Sequence, residues 1–190
     1  MMKDPRRVPP GQVLTDKFPV LTYGATPRFD KKTWTLRLFG EVEHPVELTY
    51  DELLALPKTV ETADFHCVTT WSRLDNHWEG VGIGDLLNLV KLKLTVKYVM
   101  AHCDGGYTTN LPLASLLDDD VMVAYRHDGK DLTPDHGYPL RLIVPKLYAW
   151  KSAKWLRALE FMSQDKQGFW ETHGYHSQAD PWQEQRFSDE

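Results

Sequence analysis

Two His-Cys pairs, His66-Cys67 and His102-Cys103, stand at the ends of predicted β-strands in a chain of 190 residues with no other cysteine. Strand ends that open into loops join a rigid support to solvent access, and reactive side chains gather there. Thiolate and imidazole together suit zinc or another borderline metal. The pairs lie 36 residues apart with no Cys-x-x-Cys knuckle. Three readings therefore stand side by side: a zinc-binding structural domain, buried apolar cysteines beside satisfied histidines, and a Cys67–Cys103 disulfide that a reducing compartment disfavours. The segment after Cys67 runs Val68-Thr69-Thr70-Trp71-Ser72-Arg73-Leu74-Asp75-Asn76-His77-Trp78-Glu79-Gly80 and is read as a loop. Its tryptophans, hydroxyls and arginine suit a cysteine held at a pocket floor, with Trp71, Arg73 and His77 as candidates for the substrate mouth. Tyr107 and the tail residues His173, Tyr175 and His176 are candidates to cap the pocket, with simple packing the favoured reading.

A second chemical signal is electrostatic. The formal net charge is −5, yet residues 141–157 contain Arg141, Lys146, Lys151, Lys154 and Arg157 and no acid. The run is interleaved with Leu142-Ile143-Val144, Tyr148, Trp150 and Trp155-Leu156, so much of it should be buried, and cations beside buried backbone call for an anion. The overall acidity argues against a general nucleic-acid binder and against a basic membrane-surface protein.

These residues need a scaffold, and the local patterns predict one. Trp34–Gly40 reads as a strand. Thr49-Tyr50-Asp51-Glu52 is a capping box that opens a short helix through Leu53, Leu54 and Leu56, stopped by Pro57. Strands follow at Thr59–Phe65, running into His66-Cys67, and at Thr95–Ala101, running into His102-Cys103, with a short helix at Ile83–Val90 between them. Gly105-Gly106 reads as a hairpin turn into Tyr107–Leu111. Val121–Tyr125, Leu140–Val144 and Trp155–Phe161 complete the strands. The sum is an α+β, mainly β fold with short helices. At 42% hydrophobic and 26% charged the chain can bury a core, and its length points to one domain over 1–190. Residues 1–30 read as an extended arm and 168–190 as an aromatic tail that wraps the domain. No apolar run follows Arg6-Arg7 to make a signal peptide, and no stretch approaches the ~20 apolar residues of a membrane span. A cytoplasmic setting is expected, with a small-molecule substrate and no nucleic-acid partner.

The Cys67 segment, together with His136-Gly137-Tyr138-Pro139-Leu140-Arg141 and Tyr148-Ala149-Trp150-Lys151-Ser152-Ala153-Lys154, resembles the sulfite oxidase family of molybdenum–molybdopterin enzymes over about Phe18 to Phe161. The resemblance implies a mainly β cofactor-binding domain, a molybdenum-molybdopterin cofactor and a two-electron redox reaction such as oxygen-atom transfer. It implies that Cys67 is the metal ligand, a soft anionic anchor for a soft metal that keeps another position open. It places pterin or phosphate contacts on His136, Arg141, Ser152, Ala153 and Lys154, with His66 and Cys103 as further cofactor contacts. True sulfite oxidases follow the metal cysteine with adjacent arginines; Trp71 and Ser72 stand there in this chain. Cys-Val-x-x-Trp-Ser is closer to the bacterial methionine-sulfoxide-reductase branch, whose members carry a twin-arginine export signal. The resemblance implies an electron donor or acceptor that the sequence does not name. A non-catalytic module that keeps the cofactor site is the remaining alternative.

Overall fold

The computed structural model describes residues 4–188; residues 1–3 of the expected arm and 189–190 of the expected tail lie outside them. In chain order the strands are β1 (Val13–Leu14), β2 (Thr35–Gly40), β3 (Val46–Thr49), β4 (Thr59–Cys67), β5 (Trp71–Gly82), β6 (Tyr98–Cys103), β7 (Thr108–Pro112), β8 (Met122–His127), β9 (Lys130–Asp131), β10 (Arg141–Ile143) and β11 (Leu156–Met162). The helices are short: α1 (Tyr50–Leu54), α2 (Ile83–Leu87), α3 (Leu113–Leu116) and α4 (Phe169–Thr172). The fold is mainly β. One sheet runs β1-β5-β8-β10, with β4 on β5 and β9 on β8, and the other runs β3-β2-β11-β6-β7.

The largest core cluster takes side chains from both sheets, among them Leu36, Leu38, Val99, Leu159 and Phe161 from the second and Val81, Val123 and Leu142 from the first. A smaller cluster gathers Phe65, Trp78, Met122, Ala124 and Ile143 of the first sheet, with Phe18, Trp71 and Ala149 packed against it. The first sheet is thus covered by different apolar sets, and the smaller one backs the site described below. Helix α1 begins as its capping box predicts: the Glu52 backbone N–H donates to Thr49 Oγ1 at 3.3 Å, and the Thr49 N–H donates to Glu52 Oε2 at 2.8 Å. Such caps contribute about 1 kcal/mol.

The main departure from the expected elements lies directly after Cys67. The segment read as a loop is β5, a twelve-residue strand paired antiparallel with β4 in the register Cys67↔Trp71, His66↔Ser72 and Thr62↔His77. Its buried positions alternate as a strand requires, but they include Ser72 and Asn76 as well as Leu74 and Trp78. Polar residues on the inward face hide the period-two hydrophobic signal. Four residues turn β4 into β5: the Thr70 N–H donates to the Cys67 carbonyl at 3.0 Å, and Thr70 takes a φ of +72°. Residues 169–188 pack back on the sheets through the buried Glu171, Ala179 and Pro181. The arm also joins in, with β1 parallel to β5.

Candidate active site

An open cleft of about 1130 Å³, its mouth included, brings together pieces that are distant in sequence. Strands β4 and β5 contribute Phe65, Cys67 and Trp71; the arm contributes Phe18 and residues 21–25; the turn after β6 contributes Asp104–Tyr107. The remaining lining comes from His136, Arg141, Ala149–Trp150, Ser152–Trp155 and the start of α4. Of the residues singled out in the sequence, Cys67, Trp71, His136, Arg141, Ser152, Ala153 and Lys154 meet in this cleft.

Cys67 ends β4 with 7% of its surface exposed. Its Sγ lies 3.1 Å from Thr69 Oγ1. Burial pushes the thiol up from its ordinary pKa, while hydrogen bonding from Thr69 and the charges of Arg186 and Arg141 pull it down. Trp71 faces Cys67 across the hairpin, and its indole N–H is buried without a partner among the described residues. His136 stacks on Phe18 with ring centroids 4.4 Å apart and planes 3° apart. Burial, together with the cations Arg141 and Lys154, pushes its pKa down to about 4, so it is neutral at pH 7. Gly137 follows with a φ of +109°, and a Cβ there would stand 3.1 Å from the Cβ atoms of both Arg141 and Lys154. Only glycine lets this turn press against both cationic side chains.

The basic run divides. Lys146 pairs with Asp118 at 2.6 Å, Arg157 with Asp104 at 3.3 Å, and the fully buried Lys151 with Glu171 at 2.6 Å. Arg141 and Lys154, the two that line the cleft, have no carboxylate within ion-pairing distance among the described residues. Arg141 is 4% exposed; it donates to the carbonyls of His136 at 3.1 Å and Ser152 at 2.9 Å, and its Nε has no partner. Burial pushes its pKa down to about 9. Lys154 donates to the carbonyls of Leu21 and Asp135 and to Thr22 Oγ1, and burial with the neighbouring Arg141 pushes it down to about 8. Two adjacent cations, one with an orphaned donor, fit an anionic group, which would restore both to their ordinary ranges. Gly105 and Gly106, which line the cleft, have open space where a Cβ would stand. The cleft therefore suits an anionic, partly aromatic cofactor. Arg141→Met is expected to cut cofactor affinity about 10–100-fold, the worth of a lost charge-assisted hydrogen bond at about 1.5–3 kcal/mol. The measurement is pterin released per chain, and wild-type occupancy would contradict this role.

Four expected site residues lie outside the cleft lining, each for a stated reason. His66 sits between Phe65 and Cys67, so the strand pleat turns it to the opposite face, where Nδ1 meets Ser72 Oγ at 2.8 Å. Arg73 is drawn onto Asp128 at 2.5 Å and also contacts Asn76 and His127. His77 is exposed on β5 and meets Thr62 Oγ1 at 2.8 Å. The Cys103 side chain joins the main core cluster, and burial pushes its thiol far up. Both cysteines are free. Among the described residues no three His, Cys, Asp or Glu side chains gather as a metal site, so the two His-Cys pairs do not build the zinc cage that the first reading required. Phe18, Leu21 and Thr22 of the arm, which the family resemblance lays along the cofactor, line the cleft, as does Tyr107, whereas Phe169 and Trp170 join it without a clear sequence signal, because aromatic residues in tails pack in many ways.

A profile of the oxidoreductase molybdopterin binding domain matches residues 23–170. The chain belongs to this family. Members of the molybdopterin-binding oxidoreductase family are molybdopterin-dependent oxidoreductases, and this chain is one. It is 48% identical over 183 residues to the uncharacterized oxidoreductase YuiH of Bacillus subtilis, covering 96% of this chain and 92% of that one. It is 25% identical to the protein-methionine-sulfoxide reductase catalytic subunit MsrP of Campylobacter jejuni, over 80% of this chain and 59% of the relative. Among solved structures, the sulfane dehydrogenase SoxCD of Paracoccus pantotrophus superposes with a TM-score of 0.67 at 26% identity, over 73% of this chain and 40% of the other. The match to this chain thus spans under two thirds of the Campylobacter and Paracoccus proteins. No helix among the described residues is long and apolar enough to cross a membrane.

Proposed function

We propose that this molybdopterin-binding oxidoreductase holds molybdenum through Cys67, with the anionic end of the cofactor on Arg141 and Lys154, and that the whole chain, arm and tail included, acts as one cofactor-binding unit. The observation that carries the reading is one cleft holding a single thiol and the two cations of the basic run that have no carboxylate partner among the described residues. When bound, the cofactor supplies the two-electron redox change; the chain supplies ligation, orientation and electrostatics. His136, neutral and stacked on Phe18, offers hydrogen bonding without added charge. Ser152 and Ala153 line the same region, Ser152 Oγ accepting from the Val144 N–H at 2.9 Å.

The reaction we assign is oxygen-atom transfer to or from a small sulfur or nitrogen oxide, with reduction of a sulfoxide or N-oxide preferred over oxidation of sulfite. Trp71 and Ser72 stand where sulfite-binding arginines are expected, and Arg73 is committed to Asp128. Phe65, Trp71 and Trp150 give the cleft an aromatic character that suits a neutral oxide better than a dianion. Reducing a sulfoxide to a thioether consumes two electrons and two protons and releases water, so an external electron donor is required.

Protein purified from a host that makes the cofactor is expected to carry about one molybdenum per chain. It should reduce sulfoxides or N-oxides with a reduced viologen as donor, faster than it oxidises sulfite. Molybdenum content near zero with stoichiometric zinc would refute the metal reading. Sulfite oxidation as the dominant activity would refute the substrate class.

A further inference from the structure

We propose that Thr69 is a positioning residue for the metal-binding sulfur, its hydroxyl donating a hydrogen bond to Cys67 Sγ that raises the reduction potential of the bound metal. The inference rests on the reading of Cys67 as the metal ligand. In the Cys67–Thr70 turn the backbone carbonyls are already engaged from elsewhere. Gln12 in the arm donates from Nε2 to the Cys67 carbonyl at 3.2 Å, and Arg186 in the tail donates from Nη1 to the Val68 carbonyl at 2.8 Å. The Thr70 hydroxyl is spent on the Thr69 carbonyl at 2.7 Å. The turn is thus held on both sides, and the Thr69 hydroxyl is left facing Sγ at 3.1 Å.

With a free thiol either partner of the Thr69 contact can donate. A metal-bound thiolate has no proton to give, so the hydroxyl must be the donor. A donor aimed at a ligating sulfur withdraws electron density from it and weakens its donation to the metal, which favours the reduced state. Thr69 is not part of the cleft lining, so its effect runs through sulfur and not through contact with substrate.

The test compares holoprotein of wild type, Thr69→Val, Thr69→Ala and Thr69→Ser by molybdenum content and by an EPR-monitored redox titration of the metal. Both hydroxyl-free variants are expected to keep molybdenum while the equilibrium constant for one-electron reduction falls about tenfold, a shift of about 59 mV to lower potential. Their sulfur-to-metal absorption should move to longer wavelength, and Thr69→Ser should match wild type in both readouts. Unchanged potentials in Val and Ala, or the same shift in Ser, would overturn the role of Thr69 and leave Cys67 untouched. Molybdenum retained in Cys67→Ala would instead remove the reading on which it rests.

Discussion

Cys67→Ala protein made in a cofactor-producing host is expected to contain less than about a tenth of the wild-type molybdenum and to lose turnover. Residues that only support metal ligands typically change affinity about 10–100-fold when replaced, so loss of a ligand itself should cost at least that much. No other cysteine lies in the cleft to take over, since Cys103 points into the main core. The substitution leaves the backbone bonds of the turn in place, including Thr70 N–H to the Cys67 carbonyl and Gln12 Nε2 to the same oxygen. Thermal unfolding should therefore stay near that of cofactor-free wild type. The checking measurement is elemental analysis beside a melting curve; full molybdenum occupancy would disprove ligation by Cys67.

Glu171→Ala is expected to destabilise the fold by about 3–5 kcal/mol, the cost of leaving a buried charge without its partner. Lys151 and Glu171 have no exposed side-chain surface, and their Nζ and Oε1 atoms are 2.6 Å apart. The same carboxylate oxygen accepts from Trp150 Nε1 at 2.9 Å and Thr109 Oγ1 at 3.0 Å. Lys151 keeps only the carbonyl and side-chain oxygens of Asn110 once the acid is gone. Burial lowers the Lys151 pKa and Glu171 raises it back, so removing the acid leaves desolvation unopposed. Replacing both partners, as in Lys151→Met with Glu171→Leu, should recover the part of the loss that comes from the unpaired Lys151 charge, while the Trp150 and Thr109 donors stay without their acceptor. Urea unfolding of the single and double variants tests this, and a single-variant loss below about 1 kcal/mol would refute it. Glu171 sits in α4 beside Phe169 and Trp170, both cleft residues, so the unstable variant should also bind cofactor less tightly.

This buried pair shows where a linear reading stops. Five cations in seventeen residues are visible in the sequence, and they look like one cationic site. In the fold three of them meet Asp118, Asp104 and Glu171, and Arg141 and Lys154 face the cleft with no carboxylate partner among the described residues. Nothing near Lys151 in the sequence announces Glu171, twenty residues on in an aromatic tail. The His-Cys pairs teach the same lesson at shorter range. Adjacent residues on a strand point to opposite faces, so Cys67 enters the cleft and His66 leaves it. Arg73 and His77 carry the right chemistry for a substrate mouth, but β5 and its partners hold them at Asp128 and Thr62.

What the sequence determined by itself is whatever short-range rules or dense motifs encode. The capping box starts α1, the β-rich segments become strands, Gly137 permits the turn beside Arg141, and the motifs around Cys67 and Arg141 mark the family. The tertiary structure alone decided which side of each strand faces the cleft, which cations of the basic run stand without a carboxylate among the described residues, and how the arm and tail brace the Cys67 turn. Those outcomes depend on partners tens of residues away, whose burial and charge act through space and leave no local pattern in the chain.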